Sequence, residues 1–167
     1  MRWGEFETVC PELAAKARDR FAREQIILLG TVRPDGSARI SGVECDFTDG
    51  ELMTGMIWRS AKALDLLRDD RVTVHSLVPD KAHESENQGD IKLYGRAVEV
   101  SDPEQKRRYE DAIEARIDWR PPEPYHCFAF DLVRAGMVRF ADDGRHVWTW
   151  RAGSALRKRV VPEHPSA

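Results

Sequence analysis

Residues 26–58 read IILLGTVRPDGSARISGVECDFTDGELMTGMIW, and this stretch decides the fold. Ile26 to Val32 is an apolar run of strand length. Arg33-Pro34-Asp35-Gly36 closes it, with a proline and a glycine that suit a hairpin turn. Ala38 to Phe47 returns as a second strand, Thr48-Asp49-Gly50 turns the chain again, and Leu52 to Trp58 makes a third. Turns this short join antiparallel neighbours, because a parallel pair needs a crossover of roughly a dozen residues or more. The stretch is an antiparallel meander.

The flanking segments extend it. Pro11 at a first-turn position and Leu13, Ala14, Ala17 and Phe21 at spacing three or four predict a helix within residues 1–24, a packing element. Arg71 to Leu77 is a strand with β-branched Val72, Thr73 and Val74. Pro79 to Gly89 is polar and rich in breakers, as a surface loop is, and Ile91 to Val100 is a further strand. Asp102, Pro103 and Gln105 form a helix start. That helix runs to about Trp119, with a weak apolar stripe of Tyr109, Ala112 and Ile113, and the prolines at 121, 122 and 124 stop it. Tyr125 to Leu132, Gly136 to Phe140 and His146 to Arg151 read as strands. Roughly six to seven strands with helices only on the connections predict a mainly β fold, a closed antiparallel barrel, since closure removes exposed edges. The chain reads as a single domain: a helical segment (1–24), the barrel (25–152) and a polar tail (153–167) with a basic Arg157-Lys158-Arg159.

Composition narrows the function. The 167 residues suffice for one sizeable core and are too few for two comfortable ones. With 26 basic and 29 acidic residues the net charge is −3, so no general field for a polyanion exists and a nucleic-acid partner is disfavoured. The three cysteines, Cys10, Cys45 and Cys127, are too scattered for a zinc motif and suit a reducing compartment. No apolar run approaches a membrane span and the start lacks a signal-type apolar segment, so a cytoplasmic protein is expected.

The segment from Gly55 to Val72, GMIWRSAKALDLLRDDRV, carries the first sign of a ligand. Ser60 is placed to cap a short helix, its hydroxyl accepting from a first-turn amide. Ala63, Leu64 and Leu67 would share its apolar face. The charges run against the helix dipole, with Arg59 and Lys62 at the positive end and Asp69 and Asp70 at the negative end. Each such cation costs about 0.3–1 kcal/mol unless an anion meets it. Either a phosphate docks at this terminus, where free amides, a serine and a lysine suit one, or the turn is a solvated basic one. On the second strand, alternation puts Arg39, Ser41, Val43, Cys45 and Phe47 on one face and Ala38, Ile40 and Gly42 on the other. A planar polar ligand over the first face would account for Arg39 and Ser41, as would an edge strand with a solvated arginine.

The runs Asp35 to Ser41 (DGSARIS), Asp49 to Leu52 (DGEL), Ser60 to Ala63 (SAKA), Asp70 to Val72 (DRV), Gly89 to Ala97 (GDIKLYGRA) and Val147 to Arg151 (VWTWR) are similar, in order and spacing, to one family. Together with Asp46, they resemble the pyridoxamine 5′-phosphate oxidase-like family of FMN-binding split barrels, including its flavin and deazaflavin oxidoreductase branch. The resemblance runs over residues 22–152. It implies a homodimer with two cofactor sites at the subunit interface, acting on a small molecule. Ser60 and Lys62 would hold the cofactor phosphate, Arg39 and Ser41 would contact the isoalloxazine or ribityl chain, and Thr54, Gly55, Ile57 and Trp58 would line the ring. The family's arginine at the phosphate site is replaced by Ala61, with Arg59 a candidate substitute. The oxidase's C-terminal substrate-binding arginine and histidine have no clear counterpart, which puts pyridoxine-phosphate oxidation in doubt.

Three functions are consistent with these residues: an FMN-dependent oxidoreductase, its deazaflavin-dependent counterpart, or a non-catalytic flavin- or haem-binding protein. Haem would require His75 or His126 as an axial ligand. His75 reads as a structural histidine. His126 and Cys127 are adjacent on a strand, point to opposite faces and cannot share a metal. Trp148 and Trp150 share a face and read as packing, with stacking on a flavin the alternative.

Overall fold

The computed structural model describes residues 1–24, 26–77 and 89–162. Apart from Gly89, the loop expected at Pro79 to Gly89 lies outside the described residues. The element order is α1 (Trp3–Val9), α2 (Pro11–Arg23), β1 (Ile26–Val32), β2 (Ala38–Glu44), β3 (Asp46–Thr48), β4 (Glu51–Ile57), α3 (Ala61–Arg68), β5 (Arg71–His75), β6 (Asp90–Glu99), α4 (Pro103–Ile117), β7 (Tyr125–Ala141), β8 (Gly144–Arg151) and β9 (Arg157–Val161).

All strand pairs are antiparallel, in the order β2-β1-β5-β6-β7-β4-β3, and β8 and β9 continue from β7 as a further hairpin. The two ends of that path, β2 and β3, are joined through Cys45, and the Thr54 hydroxyl donates to Glu44 O across the seam at 2.7 Å. The sheet thereby curls into a split barrel. The single strand expected from Ala38 to Phe47 is broken at Cys45, where the chain leaves β1 and joins β4. Arg116 of α4 holds that corner, donating to Cys45 O and to the Asp46 carboxylate (2.8 Å). The β3–β4 turn places both Asp49 (φ 55°) and Gly50 (φ 71°) in the left-handed region, the conformation a tight two-residue hairpin requires.

Other boundaries shift for local reasons. The N-terminal segment forms two helices rather than one, with Pro11 in the first turn of α2 and Leu13, Ala14, Ala17 and Phe21 buried as their spacing requires. Tyr125 to Leu132 and Gly136 to Phe140 are one strand, β7, because β6, β4 and β8 pair with different parts of it. The stretch read as a polar tail carries β9, which pairs with β8.

Two cores result. The larger lies inside the barrel and under α1 and α2: Phe6 meets Trp150 (ring centroids 4.7 Å) and Trp3 meets Phe47 (4.5 Å). Trp148 and Trp150 are therefore core residues. The smaller lies on the outer face, where Tyr109 and Ile113 of α4 cover Met53, Val100, Tyr125, Cys127 and Ala129. The Asp102 carboxylate caps α4 by accepting from Glu104 N (3.1 Å). The three cysteines are buried and unbridged, and burial pushes the Cys45 and Cys127 thiols up to about 12. Among the described residues, no helix is long and apolar enough to cross a membrane, and no group of three metal-ligating side chains occurs.

Candidate functional site

The site is built around the entry to α3. Ser60 N donates to Ile57 O at 3.0 Å, closing a tight turn in which Arg59 holds φ 55°. A glycine or asparagine would be relaxed there, and an arginine in that conformation costs about 1–2 kcal/mol. Strain of this kind persists where surrounding structure fixes it and collects at binding sites.

Ser60 takes the extended conformation of a capping residue (φ −60°, ψ 151°), and its carbonyl accepts from Leu64 N at 3.0 Å. Its hydroxyl does not make the expected cap. No first-turn amide donates to it, and Oγ is buried without any hydrogen-bond partner. A buried hydroxyl in this state is costly unless something else engages it. Arg59 is exposed and Lys62 half-buried beside it, and no carboxylate among the described residues pairs with either. The acidic end of the helix is different: Asp69 is paired with Arg71 (2.5 Å) and Asp70 with Arg96. The reversed charges are thus compensated at the C-terminus of α3 and left open at its N-terminus.

The buried face of α3 differs from the expected one. Ala63, Asp65 and Leu66 are buried, while Leu64 (42% exposed) and Leu67 (47%) face outward. The reason is Asp65, whose side chain is only 3% exposed. Its carboxylate accepts from Arg39 Nε of β2 (2.6 Å), from the Thr31 hydroxyl of β1 (2.9 Å) and from Arg68 (3.4 Å). Three donors turn this carboxylate inward and rotate the leucines out. Burial alone would raise the Asp65 pKa, but the hydrogen bonds from Arg39 and Thr31 and the nearby positive charge bring it below the usual carboxylate range. Asp65 was not legible as a site residue. Its one sequence signal is a charge interrupting the apolar run of a short helix.

The other expected residues divide. Arg39 and Ser41 share the inward face of β2 with Val43, as alternation predicts, and Ile40 on the opposite face is 72% exposed. Thr54 and Gly55 are buried and committed within the chain, Thr54 to Glu44 O and Gly55 N to the Tyr109 hydroxyl (2.7 Å). A side chain at Gly55 would meet Tyr109 and Pro121 at 3.3 Å, so this glycine admits α4 rather than a ligand. Ile57 and Trp58 are exposed beside the turn. Trp58 stacks on His126 with centroids 4.3 Å apart and planes 8° from parallel. His126 Nδ1 lies 2.8 Å from Glu99 Oε1, and its Nε2 is buried without a partner. His75 has a polar neighbour at each ring nitrogen, Ser76 O (2.5 Å) and Asp90 (3.2 Å).

The fold defines a class: an antiparallel split barrel, with a helix entry on its rim where Ser60 Oγ is buried and unpartnered. A family model described as pyridoxamine 5′-phosphate oxidase matches residues 13–139, and the chain belongs to that family. No curated protein sequence matches the chain. Solved structures share the fold at low identity. A conserved hypothetical protein from Mycobacterium tuberculosis is 20% identical with a TM-score of 0.62, covering 72% of this chain and 81% of that one. PhzG from Burkholderia lata, solved with tetrahydrophenazine-1-carboxylic acid, is 11% identical with a TM-score of 0.61, covering 95% and 92%. A heme binding protein from Mycobacterium smegmatis is 15% identical with a TM-score of 0.58, covering 87% of this chain and 56% of its own.

Proposed function

We propose that the chain binds FMN as a homodimer and works as a flavin-dependent oxidoreductase on a small molecule. The observation that carries this reading is the buried, partnerless Ser60 Oγ, flanked by Arg59 and Lys62, with which no carboxylate among the described residues pairs. An orphaned donor, two cations and a helix N-terminus suit a phosphate monoester. Ser60 would donate to it, and Lys62 and Arg59 would supply charge. Arg59 thereby takes the place of the arginine missing at Ala61. FMN supplies the hydride chemistry when bound, and the protein supplies binding, orientation and electrostatics.

The remaining residues have matching tasks. Asp65 fixes Arg39 by one nitrogen, Nε, which leaves the end of the guanidinium to face a polar ligand edge beside Ser41. Ile57 and Trp58 offer exposed apolar surface next to the seat, suited to covering a flat ring. With Leu64 and Leu67 also exposed, the seat is one wall of a site that a second copy would complete.

Titration of apo-protein with FMN, followed by flavin fluorescence, tests the reading. Lys62→Ala should weaken FMN by about tenfold or more, the worth of a charge-assisted hydrogen bond, with little change in stability. Unchanged affinity would overturn it. A parallel titration with a deazaflavin decides between the two cofactors, and bound flavin that no nicotinamide donor or substrate reduces marks a carrier rather than an enzyme. One observation favours haem as the second reading. Of the two histidines considered as axial ligands, only His126 has an unpartnered ring nitrogen, and a Soret band that His126→Ala abolishes would identify it.

A further inference from the structure

We propose that the outer face of β6, β7, β8 and β9 carries a second anion site, separate from the α3 seat, which takes a small phosphate-bearing molecule. The strand register places its residues. Tyr94 is opposite Arg134, and Arg134 is opposite Arg151, so one row across three strands reads Tyr94, Arg134, Arg151. In the next row Gly136 is opposite Thr149, and Thr149 is opposite Arg157. Gly136 contributes no side chain, which leaves a gap framed by the three arginines. The result is a cavity of about 560 Å³ whose lining also includes Ser154, within the size range of small-ligand sites.

The electrostatics of this groove are unfavourable as they stand. Like charges directly opposite on neighbouring strands destabilise a sheet, and Arg134 and Arg151 are such a pair. On these strands Lys92 is neutralised by Asp90 (3.1 Å), Arg96 by Asp70 and Lys158 by Glu12. Among the described residues no carboxylate pairs with Arg134, Arg151 or Arg157. The Arg134 guanidinium is held 4.2 Å above the Tyr94 ring, which orients its donors without consuming them. A β-bulge between Tyr94 and Gly95 shapes the same spot, and a side chain at Gly95 would lie 2.2 Å from Asp131 O, so the bulge requires glycine. The extra residue of the bulge is Val133 on β7, directly before Arg134, whose partner across the ladder is Tyr94. Three guanidinium forks around a gap match the oxygens of a phosphate ester better than a single carboxylate.

Phenyl phosphate is the probe, with benzoate as the carboxylate comparison, followed through the arginine side-chain N–H resonances of 15N-labelled protein. Phenyl phosphate should shift the Arg134, Arg151 and Arg157 signals saturably and bind more tightly than benzoate. Arg151→Gln and Arg157→Gln should each weaken it about tenfold or more, whereas Lys62→Ala should leave these shifts unchanged. Without ligand, Arg151→Gln should melt at the same or a higher temperature, because it removes a like-charge pair, whereas a structural role for Arg151 would lower the melting point. Shifts that never saturate, equal binding in the arginine variants, or loss of binding in Lys62→Ala alone would overturn the proposal.

Discussion

Replacing Asp65 by asparagine tests how β2 is tied to α3. The substitution keeps the shape and removes the charge that Arg39, Thr31 and Arg68 surround. Stripping one partner from a buried ion pair costs about 3–5 kcal/mol. Arg39 and Arg68 are 25% and 39% exposed and recover some solvation, so the expected loss is smaller, about 2–3 kcal/mol. With a urea slope of about 2 kcal/mol/M, the unfolding midpoint should fall by about 1–1.5 M. The native pKa of Asp65 is depressed, so its contribution is complete above the unfolded value of about 4 and is lost as pH falls through the folded value. Asp65→Asn should therefore flatten the acid limb of stability against pH. Circular dichroism in urea at pH 7 and in steps down to pH 3 reads both effects, and a cycle with Arg39→Met should show coupling of about 1–2 kcal/mol. Additivity within about 0.5 kcal/mol would refute the claim that this pair joins β2 to α3.

Two further outcomes follow from buried polar groups on or against β4. Tyr109→Phe should cost about 1–3 kcal/mol in denaturant unfolding, because it leaves the Gly55 N–H buried without its acceptor. The Glu51 carboxyl is raised above the usual range by burial, offset in part by Arg2, so its effect is favourable below about pH 4 and declines as pH rises. Glu51→Gln should remove that decline and leave the protein as stable or more stable at pH 8, measured by thermal melts.

Sequence alone determined the architecture. Short turns at Pro34-Asp35-Gly36 and Asp49-Gly50 permit only antiparallel neighbours, and alternation along Arg39-Ile40-Ser41 correctly separated the inward from the outward face. It also marked the helix entry at Arg59, Ser60 and Lys62, since charge placed against a helix dipole is visible in the order of residues. What it could not show is whose contacts those groups make. The Ser60 hydroxyl looks like an ordinary cap until the structure shows it buried and unpartnered. Asp65 looks like part of a solvated face until β1 and β2 bring Thr31 and Arg39 to it, and that contact rotates Leu64 and Leu67 outward. Arg134, Arg151 and Arg157 are scattered in sequence and become neighbours only through strand register. Local order fixes turns, periods and dipoles. Which charges are neutralised and which are not depends on residues far apart in the chain, and only the folded barrel decides it.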